Sequence, residues 1–346
     1  MKEIIVTEKN AGGRLDKLIF RYLDKASQGF VYKMLRKKNI TLNDHKASGS
    51  EILNAGDSVK LYLSDETVAK FKSGLSVREA ANRAESGKKA VSVTKGPVKN
   101  TGVRISLSGM IVFEDDNILA VNKPAGLLSQ KARPEDMSVN DFILEHVPQD
   151  EYFTPGIANR LDRNTSGIIL AGRNLNAQRE LSRAVAERSI SKIYLTVVKG
   201  KIEQGGTREA WLVKENDSNT VTIFGEEQSG ADRIVTAFEP LCSTGDETFL
   251  EVDLITGKPH QIRAHMAFLG HPVAGDAKYG DPEFNKYFKD RYGLKFQLLH
   301  AAEIGFISMQ GILEYLNGKV ITAPQPAHFR KILEGEGLWQ PGAQED

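Results

Sequence analysis

The chain of 346 residues carries 40% hydrophobic and 26% charged residues with a formal net charge of +1, the proportions of a soluble globular protein long enough for two domains. Its single cysteine, Cys242, excludes an intrachain disulfide and a cysteine-built metal cluster, and fits a reducing cytoplasm. No apolar run approaches the roughly 20 residues that span a bilayer, and Met1-Lys2-Glu3-Ile4-Ile5-Val6 lacks a signal-peptide core. A cytoplasmic location with no membrane partner is therefore expected.

The charge is unevenly spread. Residues 1–64 hold 12 Lys and Arg against 7 Asp and Glu, residues 65–109 hold 9 against 4, and residues 110–346 hold 25 against 34. A basic first third attracts phosphate backbones, although a solvated charged face would give the same counts.

In chain order, Leu15, Leu18, Ile19, Tyr22 and Leu23 predict an amphipathic helix over 14–24. Ser27 reads as the N-cap of a second helix running to Lys38, with Phe30, Val31, Met34 and Leu35 on its apolar side and Lys33, Arg36 and Lys37 on another. Ile40 to Asn43 alternates as a strand, and Val59, Leu61 and Leu63 form another after the turn Asn54-Ala55-Gly56-Asp57. Residues 65–109 read as a basic linker, with a short helix possible over Leu75–Arg83 and no period from Ser86 to Thr101.

A second domain, 110–335, opens with Ile111-Val112-Phe113, an acidic turn, the strand Ile118 to Val121 and the turn Asn122-Lys123-Pro124-Ala125-Gly126. Lys123 faces water on a plain reading, and the turn's resemblance to a segment of RNA-modifying synthases implies RNA instead. After the turn Thr154-Pro155-Gly156 comes a polar loop that sets Asp162 between Arg160 and Arg163, then the buried strand Ile168 to Ala171. A carboxylate among cations favours its ionised form. On a loop at a sheet edge it is a candidate nucleophile or base; the plain alternative is a surface ion pair. Asn176–Arg188 predicts a helix and Ser191–Val198 a strand. Further on, Thr256-Gly257-Lys258-Pro259-His260-Gln261-Ile262-Arg263 follows the strand of Leu250, Val252 and Leu254 and opens a helix. Cations at a helix start suit phosphate or a carboxylate partner. His260 and His265 are five apart where a helical metal pair needs four, and no metal site is expected. The glycine-rich segment 270–281 lacks nucleotide-loop spacing and reads as structural, and Gln297–Ala301 begins a late strand.

Arg160-Leu161-Asp162-Arg163-Asn164-Thr165-Ser166-Gly167 closely resembles the catalytic motif of the RluA/RluC/RluD-type pseudouridine synthases, which isomerise selected uridines in RNA. Asn159 stands where that family often has His. The Asn122–Gly126 turn, the segment Lys192-Ile193-Tyr194-Leu195 and the motif ending at Arg263 are similar to further family segments in the same order. Lys258 replaces the usual Arg, which keeps the charge but loses the planar fork. The resemblance implies that Asp162 is catalytic, that Tyr194 packs against the target base and that Arg263 pairs with Asp162. Arg160, Arg163, Lys258, His260 and Gln261 are expected to contact substrate RNA. Residues 1–64 resemble the S-four type of RNA-binding domain through Arg14-Leu15-Asp16-Lys17, Leu35 to Ile40, Asn43 and Gly56-Asp57. That likeness marks Lys17, Lys33, Arg36, Lys37 and Lys38 as phosphate contacts.

The implied fold is α+β, a large and mostly antiparallel mixed sheet with a central cleft, preceded by a small α+β RNA-binding domain. The implied activity is base-flipping isomerisation of uridine, most often in large-subunit ribosomal RNA, by a monomer needing no cofactor or metal. Whether Asp162 acts first on ribose or on base is open. Transfer RNA is the alternative substrate. A non-catalytic ribosome-associated RNA-binding protein would have lost the three motifs, and a glycoside hydrolase would need a second facing carboxylate.

Overall fold

The computed structural model describes residues 1–7, 11–71, 107–149, 153–215 and 219–339. The expected helix over 75–83 and the aperiodic stretch 86–101 lie outside them. The chain divides into two compact units, Met1–Ile105 with Gln149–Thr154, and Ser106–Pro148 with Pro155–Asp346.

In the small unit, helices α1 (Leu15–Tyr22) and α2 (Gln28–Arg36) accompany a four-stranded antiparallel sheet of β1 (Lys2–Ile5), β2 (Ile40–Leu42), β3 (His45–Lys46) and β4 (Ser58–Leu61), in the order β1-β4-β2-β3. The apolar stripe of α1 is buried at Leu15, Leu18, Ile19 and Tyr22. Ser27 caps α2 by accepting from the Phe30 N–H at 3.3 Å. Asp16 is buried, which costs a carboxylate its hydration. Arg14 at 2.7 Å and the Tyr32 hydroxyl at 2.8 Å outweigh that cost and hold it below the usual carboxylate range. Asn43 donates to Asp57 at 2.8 Å and locks the facing turns. The unit also runs past the boundary expected at residue 64. Helix α3 (Asp65–Phe71) buries Val68 in the same core, and the Phe71 ring lies 4.5 Å from that of Phe30.

The large unit is built on a ten-stranded sheet: β5 (Ile111–Glu114), β6 (Ile118–Lys123), β7 (Ser166–Gly172), β8 (Ile190–Lys199), β9 (Gly206–Glu215), β10 (Thr220–Phe224), β11 (Asp232–Ser243), β12 (Glu247–Asp253), β13 (Leu299–Phe306) and β14 (Val320–Thr322). The strand order is β10-β9-β11-β12-β8-β13-β7-β6-β5, with β14 also on β13. Every pairing between these strands is antiparallel except β13 with β7, where His300 meets Ser166 and Ala301 meets Gly167. That join explains the glycine ending the Asp162 motif. Gly167 has φ +116°, and a Cβ there would collide with the Ala301 backbone. Ser166 and the buried His300 add a side-chain hydrogen bond at 2.9 Å across the join.

Helices α4 (Val139–His146), α5 (Leu175–Glu187), α6 (Gln261–Phe268), α7 (Pro282–Tyr292) and α8 (Ala327–Gly335) complete the unit. Ala177, Leu181 and Ala184 of α5 pack with Ile168, Leu170 and Ile190. Phe288 of α7 and Ile332 of α8 pack with Val197 and Phe249. Ile190 and Val197 lie seven apart on β8 and so on opposite faces, and the sheet is covered on both sides. The fold is therefore α+β with a large mixed sheet. Among the described residues no helix is long and apolar enough to cross a membrane.

Candidate active site

The loop carrying Asp162 is pinned from both ends. Asn159 holds the start of β7, accepting from the Leu170 N–H at 2.8 Å and donating to the Ile168 carbonyl at 3.1 Å. Ser129 brackets Leu161, donating to its carbonyl at 2.7 Å and accepting from its N–H at 3.0 Å. The Arg163 carbonyl accepts from the Gly126 N–H at 2.8 Å and from Lys123 Nζ at 3.0 Å. Thr165 closes the turn on the Asp162 carbonyl at 3.1 Å, and its hydroxyl accepts from Gln297 at 3.1 Å.

Lys123 is wholly buried, so neither of its expected directions, RNA or water, survives. Its three ammonium protons match three carbonyls, of Pro124 at 3.1 Å, Leu127 at 2.9 Å and Arg163 at 3.0 Å. Burial pulls its pKa down to about 7 against the charge of Asp162. It ties the Asn122–Gly126 turn to the Asp162 loop.

Asp162 is 26% exposed. Its ion-pair partner is neither flanking arginine. Arg160 is exposed, and Arg163 turns its Nε to the Gly126 carbonyl at 3.1 Å. The partner comes from 101 residues along the chain: Arg263 donates Nη1 to Asp162 Oδ2 at 2.7 Å. Arg263 sits in the first turn of α6, 7% exposed, and grips the buried Asp276 with Nε at 2.6 Å and Nη2 at 2.8 Å. Burial alone would favour the neutral guanidine, but Asp276 and Asp162 outweigh it and hold the pKa above its ordinary value. Asp276 is likewise held below the carboxylate range. Arg263 and the backbone N–H groups of Lys278 and Tyr279 overcome its burial. One guanidinium thus bridges a buried carboxylate and a partly exposed one.

Tyr194 lies on β8 opposite Ala301 and Val252, 7% exposed. Burial and then the nearby charge of Asp162 push its phenol up, so it stays protonated. Lys192, two residues earlier on the same face, packs its Nζ within 3.2 Å of where a Cβ of Gly257 would stand. It has no ion pair within 4.0 Å among the described residues. His260 is the left-handed N-cap of α6, with φ +54°, and its Nε2 is 3.9 Å from Asp162 Oδ1.

Two residues expected to contact RNA have partners within the fold. Gln261 is 2% exposed and holds the motif turn together. Its oxygen accepts from Thr256 at 2.8 Å and from the Lys258 N–H at 3.1 Å, and its amide donates to the Val235 carbonyl and Thr236 hydroxyl, both at 3.0 Å. No capacity is left for RNA. Lys258 faces solvent in an ion pair with Asp232 at 2.6 Å, so binding a phosphate would mean leaving a carboxylate. His265 is buried with its pKa lowered to about 4.

The segment 270–281 proves to be more than scaffold. It contributes Asp276 and also Tyr279, whose ring stands 5.3 Å from the Arg263 guanidinium carbon. Its Gly-Asp-x-x-Tyr-Gly pattern was visible in the sequence, but no local property says that its aspartate faces an arginine on another element. In the small unit, Lys17, Lys33, Arg36, Lys37 and Lys38 are all exposed and without an ion pair among the described residues.

The mixed sheet thus carries, at its parallel join, an arginine-held aspartate near a buried tyrosine. Residues 117–268 match the family model described as RNA pseudouridylate synthase, and the chain is an RNA pseudouridine synthase. Its curated relatives span its length. It is 28% identical over 336 residues to "Ribosomal large subunit pseudouridine synthase C" of Escherichia coli (strain K12), covering 96% of each chain. To the protein of the same name from Rickettsia felis it is 29% identical over 302 residues, covering 87% of this chain and 90% of the relative. Among solved structures, "Human RNA Pseudouridylate Synthase Domain Containing 4" shares the fold with a TM-score of 0.54 at 20% identity, covering 66% of this chain and 93% of that one.

Proposed function

We propose that this synthase isomerises uridines in large-subunit ribosomal RNA, with Asp162 as the reacting group, Arg263 as its counter-ion and Tyr194 as the wall for the base. The observation that carries the site is the Arg263–Asp162 pair at 2.7 Å. Two motifs 101 residues apart converge on one carboxylate and leave it partly exposed. The ribosomal substrate is supported by relatives whose names specify it and that match along 87% to 96% of this chain.

The chemistry follows from these groups. A uracil stacked in a helix is out of reach, so the nucleotide leaves the stack and enters the cleft. Asp162 acts on it as nucleophile or base and is regenerated by the end of the cycle, and the bond from C1′ of ribose to N1 breaks. The uracil turns, C1′ bonds to C5, and the C5 proton is lost while N1 gains one. Atoms and electrons balance within the base. The phenol of Tyr194, kept protonated by burial, offers a ring face without adding charge.

The small unit acts as an S-four-like RNA anchor. Lys33, Arg36 and Lys37 share one face around α2, with Lys38 just beyond and Lys17 on α1, and unpaired exposed cations are available to phosphates. The reading takes the protein as a monomer, and ribosomal RNA as substrate supports a cytoplasmic location.

The test maps pseudouridine in ribosomal and transfer RNA from cells lacking the gene, restored with it, or restored as Asp162→Asn. Sites in large-subunit RNA lost on deletion and regained only with the wild type support the reading. Restoration by the variant overturns the role of Asp162, and sites lost only from transfer RNA overturn the substrate.

A further inference from the structure

We propose that His260 is a positioning residue for Asp162. Its neutral imidazole, fixed in one tautomer by the Tyr279 hydroxyl, faces the carboxylate oxygen that Arg263 leaves free and presents that oxygen to substrate without a second cation beside it. The inference rests on Asp162 being the reacting group.

Hydrogen-bond accounting sets the tautomer. The Tyr279 oxygen accepts the Val221 N–H at 2.8 Å, and its own proton needs an acceptor. His260 Nδ1, at 2.8 Å, is its only acceptor among the described residues. With Nδ1 accepting that proton, the single proton of a neutral ring sits on Nε2, the nitrogen turned to Asp162. Arg263 occupies Oδ2 at 2.7 Å, while Oδ1 is 3.9 Å from Nε2 and has no closer donor among the described residues. That gap is longer than a hydrogen bond, and such contacts commonly tighten only when substrate fills the site.

The backbone is committed to this placement. His260 holds φ +54°, where non-glycine residues are uncommon. The segment Asp276–Tyr279 controls both neighbours of the carboxylate, Arg263 through Asp276 and His260 through Tyr279. The charges facing the imidazole are mixed: Asp162 and Asp276 favour its protonation, while Arg263 and Lys278 oppose it. Burial tips the balance and keeps it below the ordinary imidazole range. Protonation would set two cations on one carboxylate and reduce its reactivity, so the neutral ring is the active form and its titration forms an acid limb.

The test uses His260→Asn, because asparagine tolerates a left-handed backbone and cannot titrate, and Tyr279→Phe, which keeps the ring beside Arg263. Both are assayed for kcat, KM and pH profile on one RNA transcript, beside Asp162→Asn and with thermal unfolding followed. His260→Asn is expected to lower kcat by about tenfold or more, as misplacement of a reacting group does, with KM little changed and the acid limb gone. Tyr279→Phe is expected to move the acid limb to higher pH, because the neutral ring loses the donor that favours it. Profiles superimposable on the wild type, or a loss expressed in KM alone, overturn the inference. An inactive Asp162→Asn beside a wild-type-like His260→Asn overturns it alone; an active Asp162→Asn removes the reading beneath it as well.

Discussion

The two units treat positive charge in opposite ways. In the small unit, Lys33, Arg36 and Lys37 point into water with no ion pair among the described residues. In the large unit, Arg263 and Lys123 are buried and every donor on the Lys123 ammonium has a carbonyl. Exposed cations act at a distance, sum roughly and are screened by salt. Buried ones act through geometry, and their loss strands a partner inside the protein. Substitutions should therefore give two different signatures, affinity in one unit and turnover with stability in the other.

The largest effect is expected from Asp162→Asn, which keeps shape and removes charge. Turnover should fall on the order of 10³-fold or more, as loss of a covalent or acid–base group does, with melting temperature and RNA affinity near wild type. Residual turnover close to wild type, in a single-turnover assay, would remove Asp162 from the chemistry. Arg263→Ala comes next. It strands buried Asp276 and should cost about 3–5 kcal/mol of stability as well as turnover, readable by denaturant titration beside the kinetic assay. An Arg263→Ala protein as stable as wild type would contradict the anchoring by Asp276.

Asp276→Asn should cost less, because an amide still fills the space, and its cost should depend on pH. Against its burial, Arg263 and the backbone N–H groups of Lys278 and Tyr279 hold the folded Asp276 carboxyl below the ordinary aspartate range. Its stabilisation is therefore present above about pH 4 and disappears as pH falls through the folded pKa. The stability gap between wild type and variant should narrow in acid, and a gap independent of pH would break the assignment. The smallest effect per residue is expected in the small unit. Replacing Lys33, Arg36 and Lys37 together by glutamine should weaken RNA binding and flatten its salt dependence by about 2–3 in log–log slope, with turnover on saturating RNA unchanged. An unaltered slope would free these cations from any phosphate role.

Much of the site was legible because its motifs are contiguous. Asp162, Tyr194 and Arg263 each lie in a short string that resembles a family motif, the structure pairs the first with the last, and both helices of the small unit follow from apolar spacing. What failed were directions and partners. Arg160 and Arg163 flank Asp162 in sequence, yet neither pairs with it, because adjacent side chains on a pinned loop diverge. Gln261 sits between two site residues but points into the turn. Lys123 looked like a turn lysine and is instead a bolt beneath the loop. Asp276 and Tyr279 went unassigned because their roles exist only across elements.

By itself, the sequence determined the class of elements, the order of motifs and the asymmetry of charge. These are local quantities, set by periodicity, turn chemistry and composition. Only the tertiary structure decided which charges meet. The parallel join of β13 to β7 at Gly167 fixes where the Asp162 loop emerges, and the first turn of α6 brings Arg263 to it. A pairing across 101 residues is set by where the sheet places its strand ends, and no local spacing encodes that distance.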